Sequence, residues 1–239
     1  NARGSYTQDG ITYTLVDIPG TYSLMAHSAE EEVARDFICF GAPDLTVVVC
    51  DATCLERNLN LVLQTIEITD RVLVCINLMD EARRKCIEID KNRLSQELGV
   101  PVVTLCARNK RELAEVQAAI AEYSRKGTEA SALQVKYSPV IEEAISVVQE
   151  SILPHVKNLP PRWLALRLLE GDESLEKSIA THLGTDLREI PQVSQAIAEA
   201  QALLCGVSDP SQADTGVLKD QLKDEIVSAI YKRAEEICD

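Results

Sequence analysis

The sequence predicts an α/β domain with a mostly parallel sheet flanked by helices, followed by an all-helical domain. Two observations carry the first part. Short apolar runs alternate with helical stretches from residue 1 to about 127, as in a parallel sheet with crossover helices. Three of those runs are apolar on both faces, the pattern of strands buried from two sides. The second part rests on a third observation: from 128 to 239 strand patterning stops and helical periodicity takes over.

The elements follow in order. "SYTQDGITYTLVDIP" reads as two strands joined by a tight turn at Asp9-Gly10. A helix is expected over 28–41, with Ser28 as its N-cap and Glu31 completing a capping box. "LTVVVCDA" (45–52), "RVLVCIN" (71–77) and "VPVVTLC" (100–106) are the buried strands, and 57–69, 90–98 and 111–125 the helices between and after them. Beyond "SRKGTEASA" the helical part is punctuated by "LPHVKNLPP", Gly171, Gly184 and Gly206. Its last stretch places Leu218, Leu222, Ile226, Ile230 and Ala234 on one face at four-residue steps, the mark of a core-facing amphipathic helix. Trp163, following Pro160-Pro161 at a helix start, reads as core.

Composition narrows the function. With 24 basic against 38 acidic residues the net charge is −14, which leaves no basic surplus to neutralise phosphates, so no nucleic-acid partner is expected. The same balance disfavours docking on anionic lipid. No apolar run approaches a membrane span and no signal peptide opens the chain, so a soluble chain is expected. The eight cysteines lack any C-x-x-C pair and several sit inside strand-like runs, which reads as reduced, buried thiols. Cys50 and Cys54 find no second pair or nearby histidine to complete a metal site, and His27, His155 and His182 are scattered.

The chemistry-bearing residues gather where a parallel α/β sheet binds ligands, beyond the carboxyl ends of its strands. "DIPG" spans Asp17, Ile18, Pro19 and Gly20, with Thr21 next. Its carboxylate suits a hard cation reached through water, and the glycine lets a backbone N–H approach a phosphate oxygen. "NLMD" spans Asn77, Leu78, Met79 and Asp80. Its aspartate can accept from the N1–H and N2–H₂ of guanine, whereas adenine presents a lone pair at N1 and is repelled. "CAR", Cys106, Ala107 and Arg108, offers backbone N–H groups for the guanine O6. N-x-x-D alone means little. Its order with D-x-P-G, "CDAT" and "CAR", each after an apolar run, matches guanine-nucleotide-binding domains.

"TYTLVDIPGTYSL", "EEEVARDFI", "DATCLERNLNLVLQTIEI" and "NLMDEARRK" together resemble the cytosolic amino-terminal region of the ferrous iron transport protein B family. The resemblance covers residues 1 to about 127 by motif, and the helical remainder by length and position. It implies a P-loop-GTPase-like domain over 1–127, a helical regulatory domain over 128–239, and GTP, GDP and Mg²⁺ as cofactors, with Asp17 on the metal side. Asp17–Gly20 would form the third GTPase motif, Asn77–Asp80 the fourth and Cys106–Arg108 the fifth, where cysteine replaces the usual serine. Thr21 to Glu32 would be the second switch. The implied partners are a guanine nucleotide and the Fe²⁺ permease of the same full-length protein, at the cytoplasmic face of the membrane, with room for a homo-oligomer.

One departure is large. No G-x-x-x-x-G-K-[ST] occurs, and no first-switch threonine precedes the hairpin. The pattern begins at the second strand, so the first strand is expected to lie outside this sequence or to come from another chain. That strand belongs between the one ending at Asp17 and the one starting near Leu45, and two inner edges would then lack ladder partners. No general base can be named, and these residues alone are expected to bind GTP weakly and hydrolyse none. Two other readings stand beside this one: a non-catalytic interaction module, and a ribosome- or tRNA-associated GTPase of the same broad class.

Overall fold

The computed structural model describes residues 2–25, 28–106, 108–126, 132–208, 210–212 and 215–239. Ala107 and His27 therefore lie outside the described residues, as do 26, 127–131 and three positions near 210. The chain forms two compact units: Asn1–Gln134 together with Lys232–Asp239, and Val135–Tyr231.

The first unit opens with a hairpin. β1 (Ala2–Gln8) and β2 (Ile11–Asp17) pair antiparallel from Gln8↔Ile11 out to Ala2↔Asp17. The turn takes φ of +51° at Asp9 and +76° at Gly10, the doubly left-handed geometry that Asp-Gly supplies with little strain. Tyr6 and Tyr13 stack across the strands at 5.1 Å between ring centroids.

A separate sheet follows, with β3 (Thr46–Asp51), β4 (Val72–Asn77) and β5 (Val102–Thr104) parallel in that order. β4 is central, and Val72 to Ile76 are all buried, as a strand covered on both faces requires. On one face Cys75, Leu105, Val47 and Val103 pack with Val116 and Ile120 of α5 (Lys110–Lys126). α2 (Leu55–Ile68) packs against β3 and β4 through a row of buried residues that includes Leu59, Val62 and Leu63.

Among the described residues β2 pairs only with β1, and β3 only with β4. Among the described residues β1, β2, β3 and β5 are thus edge strands, each with one ladder partner. Val49, on β3, is 59% exposed, so the expectation of burial on both faces fails for that strand at this position.

Other boundaries differ by small amounts with evident causes. The first helix, α1 (Ala29–Phe40), starts where Ser28 Oγ accepts from the Glu31 N–H. α4 (Lys91–Leu98) starts after Asp90, whose carboxylate accepts from Asn92 and Arg93, and ends at Gly99 with φ of +65°. β5 is shorter than its apolar run, although Leu105 N–H still bonds the Ile76 carbonyl of β4 at 2.8 Å. A short helix, α3 (Met79–Arg84), was absent from the sequence reading.

The second unit is helical, as the sequence predicts, with α6 (Pro139–Ile152), α7 (Pro161–Glu170), α8 (Glu173–Leu183), α9 (Pro191–Cys205) and most of α10 (Thr215–Cys238). Trp163 is 4% exposed on α7, a core residue as expected. Leu218, Leu222, Ile226, Ile230 and Ala234 are all buried, so the four-residue periodicity correctly marked the packed face of α10. Inside this unit Arg167 and Glu170 form a buried ion pair. Arg188 bonds both oxygens of Glu176 at 2.6 Å and the Leu168 carbonyl at 2.7 Å.

The Arg162 guanidinium grips Glu142 at 2.6 and 3.0 Å, and the Tyr137 N–H adds a bond at 2.9 Å. Partial burial alone would raise the Glu142 pKa, but these donors hold it below the ordinary carboxylate value. A folded pKa below the unfolded one stabilises above the unfolded value, and the gain is lost as pH falls through the folded pKa. Glu142→Gln should therefore cost about 1 kcal/mol or less at pH 7, given how far solvent screens the pair. It should also flatten the acid limb of a urea-denaturation series between about pH 5 and 3.

Burial pushes the Cys39 and Cys50 thiols up to about 12 and that of Cys75 to about 11. Cys54 and Cys86 are exposed. Alkylation of the folded protein by iodoacetamide at pH 8 should label Cys54 and Cys86 and spare Cys39, Cys50 and Cys75, as read by peptide mass mapping.

Candidate functional site

Parallel pairing in register sets the site. Asp51 is opposite Asn77 and Ile76 is opposite Thr104, so "CDAT", "NLMD" and "CAR" all leave the same edge of the β3–β4–β5 sheet. Two of these loops are stitched together. Leu105 N–H donates to the Ile76 carbonyl at 2.8 Å and Met79 N–H to the Leu105 carbonyl at 3.5 Å. Asn77 Oδ1 accepts from the Leu78 N–H at 2.8 Å, and Leu78 adopts φ of +62°, a left-handed conformation that costs a leucine roughly 1–2 kcal/mol. That kink starts α3 immediately and places Asp80 in its first turn, beside the N–H groups of Asp80 and Glu81.

Asp80 is the electrostatic centre of this pair of loops. The slight desolvation it meets would raise its pKa. The Asp80 and Glu81 N–H groups, Arg84 and the Cys106 thiol together hold it below the ordinary carboxylate value. Its side chain is 42% exposed and meets Arg84 at 3.3 Å. An ionised, reachable carboxylate that can only accept is what a pair of N–H donors on a base edge needs.

Cys106 takes part differently from the sequence expectation. Its N–H donates to Glu112 Oε2 at 2.6 Å, so this donor is committed inside the protein. Glu112 Oε1 also accepts from Asn109 Nδ2 at 2.8 Å, and Asn109 Oδ1 accepts from the Arg111 N–H, a reciprocal cap on α5. Any O6 donor in this loop must then come from beyond Cys106; Ala107 lies outside the described residues, and Arg108 is exposed. The thiol pKa is raised by partial desolvation and by the neighbouring Glu112 and Asp80. Glu112 was missed from the sequence, although N-x-x-E before a helical stretch is itself a capping signal.

Asp51, which ends β3, is already engaged. The Thr53 N–H at 2.7 Å, helped by the Cys54 thiol, lowers its pKa and spends its carboxylate on capping a turn at Ala52–Cys54.

Asp17 stands on the other sheet, at the end of β2, and is exposed. The loop after it runs Ile18-Pro19-Gly20-Thr21. A side chain at Gly20 would meet nothing within 4 Å, so this chain's own packing does not demand glycine there. Thr21 Oγ1 donates to the Ser23 carbonyl and to Glu31, and Arg57 lies 4.1 Å over the Tyr22 ring. Gly20, Thr21 and Tyr22 line a cleft of about 290 Å³ together with Val49 of β3 and Asn58 and Leu61 of α2. The described residues hold no group of three or more His, Cys, Asp or Glu side chains able to grip a metal. A lone exposed Asp17 suits Mg²⁺ only through water.

With that geometry in hand, the likenesses are informative. The family model described as ferrous iron transport protein B matches residues 1–120, and that of the FeoB cytosolic helical domain matches 137–239. The Fe(2+) transporter FeoB of Escherichia coli K12 is 34% identical over 240 residues, covering 91% of this chain and 30% of that protein. The chain thus spans under a third of such relatives. Two solved structures of the T. maritima FeoB cytosolic domain are also similar. Its GDP form matches with TM-score 0.77 at 27% identity over 98% of this chain and 82% of that one. Its GMPPNP form matches with TM-score 0.75 at 26% identity over 98% and 83%.

Glu112→Ala removes the acceptor for the Cys106 N–H and for Asn109, and should lower the stability of the first unit by about 1–2 kcal/mol in urea denaturation. Glu115→Ala, which breaks an exposed pair with Arg111 at 3.7 Å, should change it by less than about 0.5 kcal/mol.

Proposed function

The chain belongs to the ferrous iron transport protein B family, and we propose that it is the GTP-binding regulatory region of an Fe²⁺ transporter. Residues 1–127 act as a partial G domain and 128–239 as the helical regulatory domain. The observation that carries this is Asp80, held ionised at the sheet edge and joined to the Cys106 loop, where it accepts from guanine N1–H and N2–H₂. Asn77, Leu78 and Met79 shape that loop, while Ala107 and Arg108, after Cys106, complete the base side. Asp17 through Thr21 form the phosphate side, with Gly20 N–H toward the terminal phosphate and Asp17 toward Mg²⁺ through water. Bound Mg²⁺ would offset phosphate charge.

GTP hydrolysis to GDP and phosphate then belongs to the full-length protein, in which a phosphate cradle completes the site. The nucleotide state resets the loop after Asp17, and the helical domain relays it to a permease at the cytoplasmic face of the membrane. These 239 residues contain no P-loop sequence, which favours the companion reading that they bind GTP weakly by themselves.

In the full-length protein, Asp80→Asn should shift preference from GTP toward xanthosine triphosphate, whose C2 oxygen meets the new amide donor. A change of at least about a hundredfold in the affinity ratio is expected in a competition assay. An unchanged ratio rules out Asp80 as the base reader.

A further inference from the structure

The loop after Asp17 is knitted mostly to itself. Ser23 N–H donates to Thr21 Oγ1 at 3.1 Å, Met25 N–H to Ser23 Oγ at 3.0 Å, and Thr21 Oγ1 to the Ser23 carbonyl. Glu31 and Arg57 touch it from outside, at Thr21 and Tyr22, and a third side chain binds its backbone. Gln64, on α2 and 7% exposed, accepts through Oε1 from the Leu24 N–H at 2.6 Å and from Ser23 Oγ at 3.1 Å. Leu24 itself is 6% exposed, so its buried N–H depends on that amide oxygen. Immediately before it, Gly20 is exposed with open space around it and Tyr22 is 63% exposed.

We propose that Gln64 is a positioning residue for GTP hydrolysis: it pins the loop at Ser23 and Leu24, so that nucleotide-driven movement is confined to Gly20–Tyr22. The inference rests on the GTP-binding reading above. The physical ground is a contrast within one loop. At its far end a buried amide has a strong acceptor supplied by a packed helix, while at its near end an exposed glycine has room even for an added side chain. A loop held firmly at Leu24, and nearer Gly20 only by Thr21 on Glu31 and Arg57 over Tyr22, swings about the firm point. It keeps the Gly20 N–H within reach of the terminal phosphate without a search over the whole segment. Nucleotide affinity depends mainly on contacts elsewhere, including Asp80, so losing the pin costs turnover more than binding.

The test compares Gln64→Met, which keeps length and helix propensity but loses the acceptor, with Gln64→Glu, which keeps an acceptor oxygen. Both are made in the full-length protein. Gln64→Met should lower kcat for GTP hydrolysis about tenfold with KM within about threefold, and should speed hydrogen exchange at the Leu24 amide. Gln64→Glu should restore kcat to within about threefold of wild type. Wild-type kcat in Gln64→Met overturns the proposal. So does a loss of kcat that disappears once rates are divided by the folded fraction measured by circular dichroism, since that marks a structural role alone. Unaltered Leu24 exchange in Gln64→Met overturns it as well. A wild-type protein that hydrolyses no GTP instead overturns the nucleotide reading, and that control is read before any variant is compared.

Discussion

The chemistry of the first unit depends on one constraint, the in-register parallel pairing of β4 with β3 and β5. Parallel strands send their carboxyl ends the same way, so three loops that are far apart in sequence emerge along a single edge. A shift of one residue in the β4–β5 register would turn each side chain of β5 to the opposite face and break the bond from Leu105 N–H to Ile76. The Cys106 loop would then leave Asp80. Burial of every residue from Val72 to Ile76 is what holds the register.

That dependence explains which parts were legible in the sequence. β4 and the packed face of α10 were readable because burial on two faces, or on one stripe, writes a periodic pattern. The Asp9-Gly10 turn was readable because few dipeptides tolerate two left-handed residues in succession. The short α3 was not, since its start depends on the left-handed Leu78, and nothing about leucine announces that conformation. In the site, Asp80 was found by motif order, but the commitment of the Cys106 N–H to Glu112 was not, because the motif names residue types and not hydrogen-bond partners. Gln64 carried no local signal: its partners lie about 40 residues away, and one of them is a backbone group.

The two units are held together internally by different means. The first relies on apolar strands between helices. The second adds guanidinium groups that each satisfy several acceptors, with Arg162 on Glu142 and the Val135 carbonyl, and Arg188 on Glu176 and the Leu168 carbonyl. Arginine suits such junctions because its planar fork fixes direction as well as charge. These contacts tie the Val135 carbonyl to α7 and the Leu168 carbonyl of α7 to Arg188, which an amphipathic stripe alone cannot do.

The first unit is discontinuous in sequence, because the last turns of α10, Lys232–Asp239, count among its residues. Ala234 and Ile237 are buried, and Arg233 bonds Glu97 at 2.7 Å. On the ribosome the nucleotide-side residues are therefore made about a hundred residues before their own unit can close, and the helical unit emerges ahead of the closing turns. The order of synthesis makes the helical unit a spacer that nascent-chain folding must accommodate, and the G-like unit the last part of this region to mature.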